Sequence, residues 1–222
     1  MFKSSPRRER EHQQHIKHIL NMAESIFAER GFFRTTMHQI ALKAEFALGT
    51  IYSYFGSKKQ LYEKVIETKV NELVVFVSKE MADARSVQGQ IKKFIYAKMT
   101  FLHENWSFLR LYLGQVDVPR IDVDHILPEA VREKYDSMLR DLTAVMWRGI
   151  QQGLLKPLDA KLIAKTLDGF TNAFALSHLG SGAPTSIDAA VAAVTELFLH
   201  GIAKHQQQSQ NSDNRKELGN GS

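Results

Sequence analysis

Apolar residues recur along this chain at spacings of three and four, and nowhere do they alternate strictly for the length of a strand. Ile16, Leu20, Ala23 and Phe27 trace one stripe at i, i+4, i+7 and i+11, and Gly31 follows as a stop signal. Thr36 and Gln39 form a capping-box pair that opens a short helix, TMHQIALKA. A turn at Glu45–Phe46 leads into a second short helix, LGTIYSYF. Ser57 and Gln60 repeat the capping-box form at the head of a long helix reaching residue 85. VQGQIKKFIYAKMTFLHENW, FLRLYLGQ, PEAVREKYDSMLRDLTAVMWRGIQQG, LDAKLIAKTLDGFTNAFALSHLG and SIDAAVAAVTELFLHGIAKH continue the helical period, with VDVPRIDVDHILP and GSGAP as loops. The polar, aperiodic end QQQSQNSDNRKELGNGS is expected to be disordered. The predicted fold class is all-α: a head over residues 1–56, a larger helical body over 57–205, and a disordered tail over 206–222.

Composition narrows the function classes. Of 222 residues, 44% are hydrophobic, enough for one sizeable core. Cysteine is absent, so disulfide frameworks and thiolate zinc sites are excluded. The longest apolar runs, such as LVVFV, are too short to span a bilayer, and the basic N-terminus leads into no hydrophobic signal segment. A cytoplasmic protein with no membrane association is expected. The net charge of +5 lies entirely within residues 1–60, which carry ten Lys/Arg against five Asp/Glu; the remainder is neutral. A basic head on a neutral body points to a polyanion as partner.

The two short helices carry the chemistry. Ala41 is small where a following helix must cross closely, Ile51 points back toward a three-helix core, and Ile40, Ala44 and Phe46 complete the apolar side. That spacing is a helix-turn-helix. Its second helix would enter a major groove. Gly49 there lets the backbone approach the duplex, Thr50 offers a hydroxyl and a methyl, and Tyr52 and Tyr54 supply stiff hydroxyl-bearing arms. Lys58, at the start of the following helix, suits a phosphate.

TTMHQIALKAEFALGTIYSYFGSKKQLY resembles the DNA-binding signature of the tetracycline-repressor (TetR) family of transcription regulators, over residues 15–65. The resemblance implies that Thr36, Tyr54 and Lys58 hold phosphates and that Met37, Leu48, Gly49, Thr50, Tyr52 and Ser53 face the groove. Three positions depart from the family pattern: Glu45 where glycine is usual, Ala47 where a capping serine is frequent, and Leu48 where a polar residue is common. The rest of the chain is similar to the family in layout alone. That layout implies a helical ligand-binding and dimerisation domain, with the helices bearing Ile163, Leu167, Phe170 and Phe174 and then Val191, Val194 and Phe198 pairing with those of a second copy. A homodimer would space two recognition helices about 34–36 Å apart on an inverted repeat of operator DNA.

An apolar small-molecule effector would lie among the aromatic residues of the body. Phe94, Phe101, Trp106, Phe108, Tyr112, Trp147, Phe170 and Phe174 would form its walls, with polar groups such as His103, Asn105, Asn172 or His178 orienting it. No cofactor or metal is expected. His12, His15 and His18 recur every three residues and read as a solvated helix face, and Asp117, Asp122, Asp124 and His125 read as loop solvation. No phosphate loop, nucleophile elbow or zinc-protease motif occurs, which argues against an enzyme. The expected function is a transcription repressor released by its effector. The alternatives are an apolar-ligand carrier with a non-reading head, and a DNA binder without an effector.

Overall fold

The computed structural model describes residues 6–113, 129–180 and 186–202. Among these residues are α1 (Pro6–Arg34), α2 (Met37–Lys43), α3 (Leu48–Phe55), α4 (Lys58–Ala82), α5 (Val87–Glu104), α6 (Trp106–Leu113), α7 (Glu129–Gln151), α8 (Ala160–Gly180) and α9 (Ile187–Ile202). The predicted all-α class therefore holds. The loop carrying Asp117, Asp122, Asp124 and His125, and the tail at 206–222, lie outside the described residues.

The head is built by α1, α2, α3 and the start of α4. The predicted stripe is buried at Leu20, Ala23 and Phe27 and half-buried at Ile16. Ile19, Ile40, Ala41, Ile51, Phe55 and Leu61 close on it. Gly31 breaks α1 at φ 77 and ψ 163, a conformation other residues reach only with strain, and the chain then makes one further turn to Arg34. Beyond that kink, Phe32 lies beside Phe27, and the Tyr62 ring packs edge-on against both, at 5.2 Å from Phe27 and 5.1 Å from Phe32. Burial against these rings pushes the Tyr62 hydroxyl pKa up to about 12.

Helix α4 joins head to body. Its N-cap, Ser57, accepts from Gln60 N at 3.2 Å. The reciprocal half of the box is not made, because Ser57 N donates to Phe55 O instead. Midway along α4, Lys69 reaches three ways: to Asn105 Oδ1 at the α5–α6 corner (2.9 Å), to Glu24 on α1 (3.5 Å) and to Glu72 (3.2 Å). One ammonium thus links head, connecting helix and body. Desolvation raises the Glu24 pKa, and the Lys69 charge opposes that shift.

In the body, α5 runs through the middle and packs on α4, α7, α8 and α9. Its buried stripe includes Ile91, Phe94, Ile95 and Phe101, and also a charge, Lys98, with no exposure at all. Lys98 donates to the Asp168 carboxylate, to Asp168 O (2.9 Å) and to the Tyr135 hydroxyl (3.2 Å). Tyr135 in turn donates to the same carboxylate at 2.8 Å. Burial lowers the Lys98 pKa, and the adjacent Asp168 charge works against that. The cluster pins α5, α7 and α8 at one point.

A buried pair is destabilising to break from one side, because the surviving charge is stranded. Asp168→Ala should therefore lower unfolding free energy by about 3–5 kcal/mol. Replacing both charges with apolar residues, Lys98→Met with Asp168→Leu, should cost clearly less. Urea unfolding of the two variants checks the order.

Candidate nucleic-acid interface

Helix α2 opens on a complete capping box: Thr36 Oγ1 accepts from Gln39 N (3.2 Å) and Gln39 Oε1 accepts from Thr36 N (2.9 Å). Thr36 stays exposed at the rim of the head. Its hydroxyl proton is not used by the cap and can be offered outward. At Glu45, four residues after Ala41, the chain turns through φ 58, the left-handed conformation that disfavours a side chain. Helix α3 then starts from Ala47, which makes no side-chain cap. Two of the three departures from the family pattern, Glu45 and Ala47, thus leave the turn strained and uncapped. Packing must hold α3 in their place.

That packing sets which residues face outward. Ile51 is fully buried and Phe55 nearly so. At 3.6 residues per turn the sides away from Ile51 must carry Gly49, Tyr52 and Ser53, and all three are exposed, as is Leu48 in the first turn on the Ile51 side. Thr50 is half-buried at the edge of this face. A Cβ added to Gly49 would meet nothing within 4 Å, so the glycine keeps an outward surface flat. Ser53 turns its hydroxyl back onto Thr50 O at 2.7 Å.

Two positions differ from expectation. Met37 is only 5% exposed and packs into the head core, so it presents no side chain to a groove. Lys58 does not offer a free ammonium. It donates to Phe32 O (2.9 Å) and Thr35 O (2.8 Å), lies 3.5 Å from Phe33 O, and sits over the Phe32 ring at 4.5 Å. Its charge closes the carbonyl end of α1, where Phe32 O otherwise receives only a long bond from Thr35 N (3.4 Å).

Tyr54 has partners that the sequence pattern did not reveal. His15 Nδ1 lies 3.3 Å from its hydroxyl, and the His12 ring lies 5.0 Å from its ring. His15 and His18 also contact Phe46, at 5.1 and 6.3 Å. The three histidines are therefore a seam against α3 and its preceding turn, not a purely solvated face. Their three-residue spacing is the available signal, but it does not say what lies opposite.

The effector residues are scattered. Phe94, Phe101 and Phe108 are closed into the core, Trp147 is 58% exposed on α7, and His103 is exposed. These five cannot line a shared cavity: three are sealed by neighbours and two face solvent. Trp106, Phe170, Asn172 and Phe174 are half-buried, and the side chains of Tyr112 and His178 lie outside the described residues. Asn105 holds Lys69. A hollow of about 860 Å³ opens instead between α5 and α9, lined by Lys92, Tyr96, Val191, Thr195 and Leu199 among others. Sequence reasoning also missed Lys98 and Asp168, although each stands on an apolar helical stripe where a charge is conspicuous.

A helix-turn-helix with one outward face, carried on a helical body, defines a DNA-binding regulator class. Residues 19–65 match the bacterial regulatory proteins of the tetR family. It is 24% identical over 148 residues to YhgD, an uncharacterized HTH-type transcriptional regulator of Bacillus subtilis, covering 67% of this chain and 75% of the relative. It is 21% identical over 185 residues to the fatty acid metabolism regulator protein of Bacillus subtilis, covering 83% and 93%. Among solved structures, the fatty acid degradation regulator FadR from Bacillus halodurans superposes with a TM-score of 0.69 at 20% identity, covering 90% of this chain and 98% of that one. The family and these relatives are transcriptional regulators, not enzymes. No helix among the described residues is long and apolar enough to cross a membrane.

Relief of the strained turn gives a direct check. Glu45→Gly should raise stability by about 0.5–1 kcal/mol, because glycine reaches φ 58 without a Cβ clash. Thermal and urea unfolding of the full chain measure it.

Proposed function

We propose that the protein is a homodimeric repressor that binds operator DNA and is released by an apolar small-molecule effector. The observation that carries the DNA reading is the face of α3: Ile51 and Phe55 inward, Leu48, Gly49 and Tyr52 outward, with Thr50 at its edge. In this reading Thr36 and Tyr54 hold phosphates on either side of the groove, and Gly49 and Thr50 meet base edges. Lys58 serves by fixing the end of α1 against α4.

A second exposed face supports pairing of two copies. Along α8, Leu162, Gly169, Ala173 and Leu176 are exposed, and along α9, Ala189, Ala193 and Leu197. These positions recur at helical spacing and are small or apolar, which suits a four-helix contact between copies. A twofold pair is also what an inverted-repeat operator requires.

Release follows from a population shift. The effector must bind more tightly to a dimer whose heads no longer match the half-sites. Trp106, Phe170, Asn172 and Phe174 remain the candidate effector contacts, and the names of two relatives favour a fatty-acid-like, apolar class. Helix α4 is the lever, since it starts in the head and is tied to both α1 and the α5–α6 corner through Lys69.

Selection of bound fragments from random duplex DNA tests the reading; a chain that retains all sequences equally is not an operator-reading repressor. Gly49→Leu should not lower stability, since the site is open and leucine is the better helix former, yet abolish operator retention in a mobility shift. Leu197→Glu should convert the dimer to monomer in sedimentation and weaken operator binding by roughly tenfold or more, as half-sites lose their coupled heads. A parent chain that sediments as a monomer at every concentration would rule out the paired arrangement.

A further inference from the structure

We propose that residues 6–18 of α1, which precede the family-matched segment, form a second DNA-contacting surface that grips backbone phosphates beside the recognition helix. This inference rests on the DNA-binding reading of α3.

The segment, PRREREHQQHIKH, carries Arg7, Arg8, Arg10 and Lys17 against Glu9 and Glu11. Every position except Ile16 is exposed. A helical stretch that is polar on all sides buries too little to order itself, so something else must hold it. The histidine seam does so. His12 and His15 rest on Tyr54, and His15 and His18 on Phe46, which fastens the extension to the end of α3 and the turn before it.

That placement decides where the arginines lie. From His12 back to Arg7 the helix rises only about 7.5 Å, at about 1.5 Å per residue. Arg7, Arg8 and Arg10 therefore lie within about two helical turns, along α1, of the His12 contact with Tyr54. A duplex seated on α3 brings a dense row of phosphates past this point. The contacts that Arg7 and Arg10 make within the arm are exchangeable. Arg7 pairs with Glu11 at 2.8 Å, and Arg10 donates to Pro6 O at 3.1 Å, both in solvent. Exposed contacts of this kind are weak and screened by salt. Phosphate contacts from this arm add affinity without sequence preference.

The test is a salt titration of binding by the full chain, using fluorescence anisotropy with a labelled operator and a scrambled duplex. For Arg7→Gln/Arg8→Gln/Arg10→Gln, the slope of log K against log salt should become shallower by about two units or more, since each lost phosphate contact removes about 0.9. The affinity loss should be the same on both duplexes. Glu9→Gln/Glu11→Gln should shift binding the other way, tightening both, and so reads the arm without depending on a loss of function. A parent chain that binds operator while the arginine variant keeps its slope overturns the arm alone. A parent chain that fails to bind any operator overturns the α3 reading, and the arm with it.

Discussion

The outward face of α3 depends on one buried side chain, Ile51. Helix α3 is eight residues long, begins without a side-chain cap at Ala47, and follows a strained turn at Glu45. A helix so short is not stable in water by itself. What holds it is the insertion of Ile51 and Phe55 into the core shared by α1, α2 and α4, where Ile40 and Ala41 leave room. The same insertion fixes its rotation about its own axis. Once Ile51 is inward, Gly49 and Tyr52 can only be outward.

Several lysines are occupied inside the fold. Lys58 closes the end of α1, Lys69 joins head to body, and Lys98 pins three helices of the body. Lys43 donates to Ser25 Oγ. A basic head is thus not a uniformly available one. The arginines in the first turns of α1, by contrast, are exposed. Their planar guanidinium groups suit phosphate oxygens, while the internal lysines serve as compact hubs for several acceptors.

A similar division holds between the two parts. Lys69 touches Glu24, Glu72 and Asn105, so one ammonium joins α1, α4 and the α5–α6 corner. The body is meanwhile fastened at Lys98, Asp168 and Tyr135. A polar joint midway along α4 and a sealed charge cluster in the body thus anchor the two parts at different points.

The helices and the helix-turn-helix were legible in the amino-acid order alone. Period, capping residues and the T-x-x-Q and GTIY-x-YF spacings act within a few residues of one another, so they can be read along the chain. The inward turn of Ile51 and the missing glycine at Glu45 were visible in the same way. Packing in three dimensions was needed to make Met37 core, to commit the Lys58 ammonium to carbonyls, to part Phe94 and Trp147 into opposite environments, and to bring His12 and His15 to Tyr54. Each of these depends on what lies across a helix interface, often tens of residues away in the chain. A side chain's period says which way it points, but its partner is chosen by the neighbouring helix it meets.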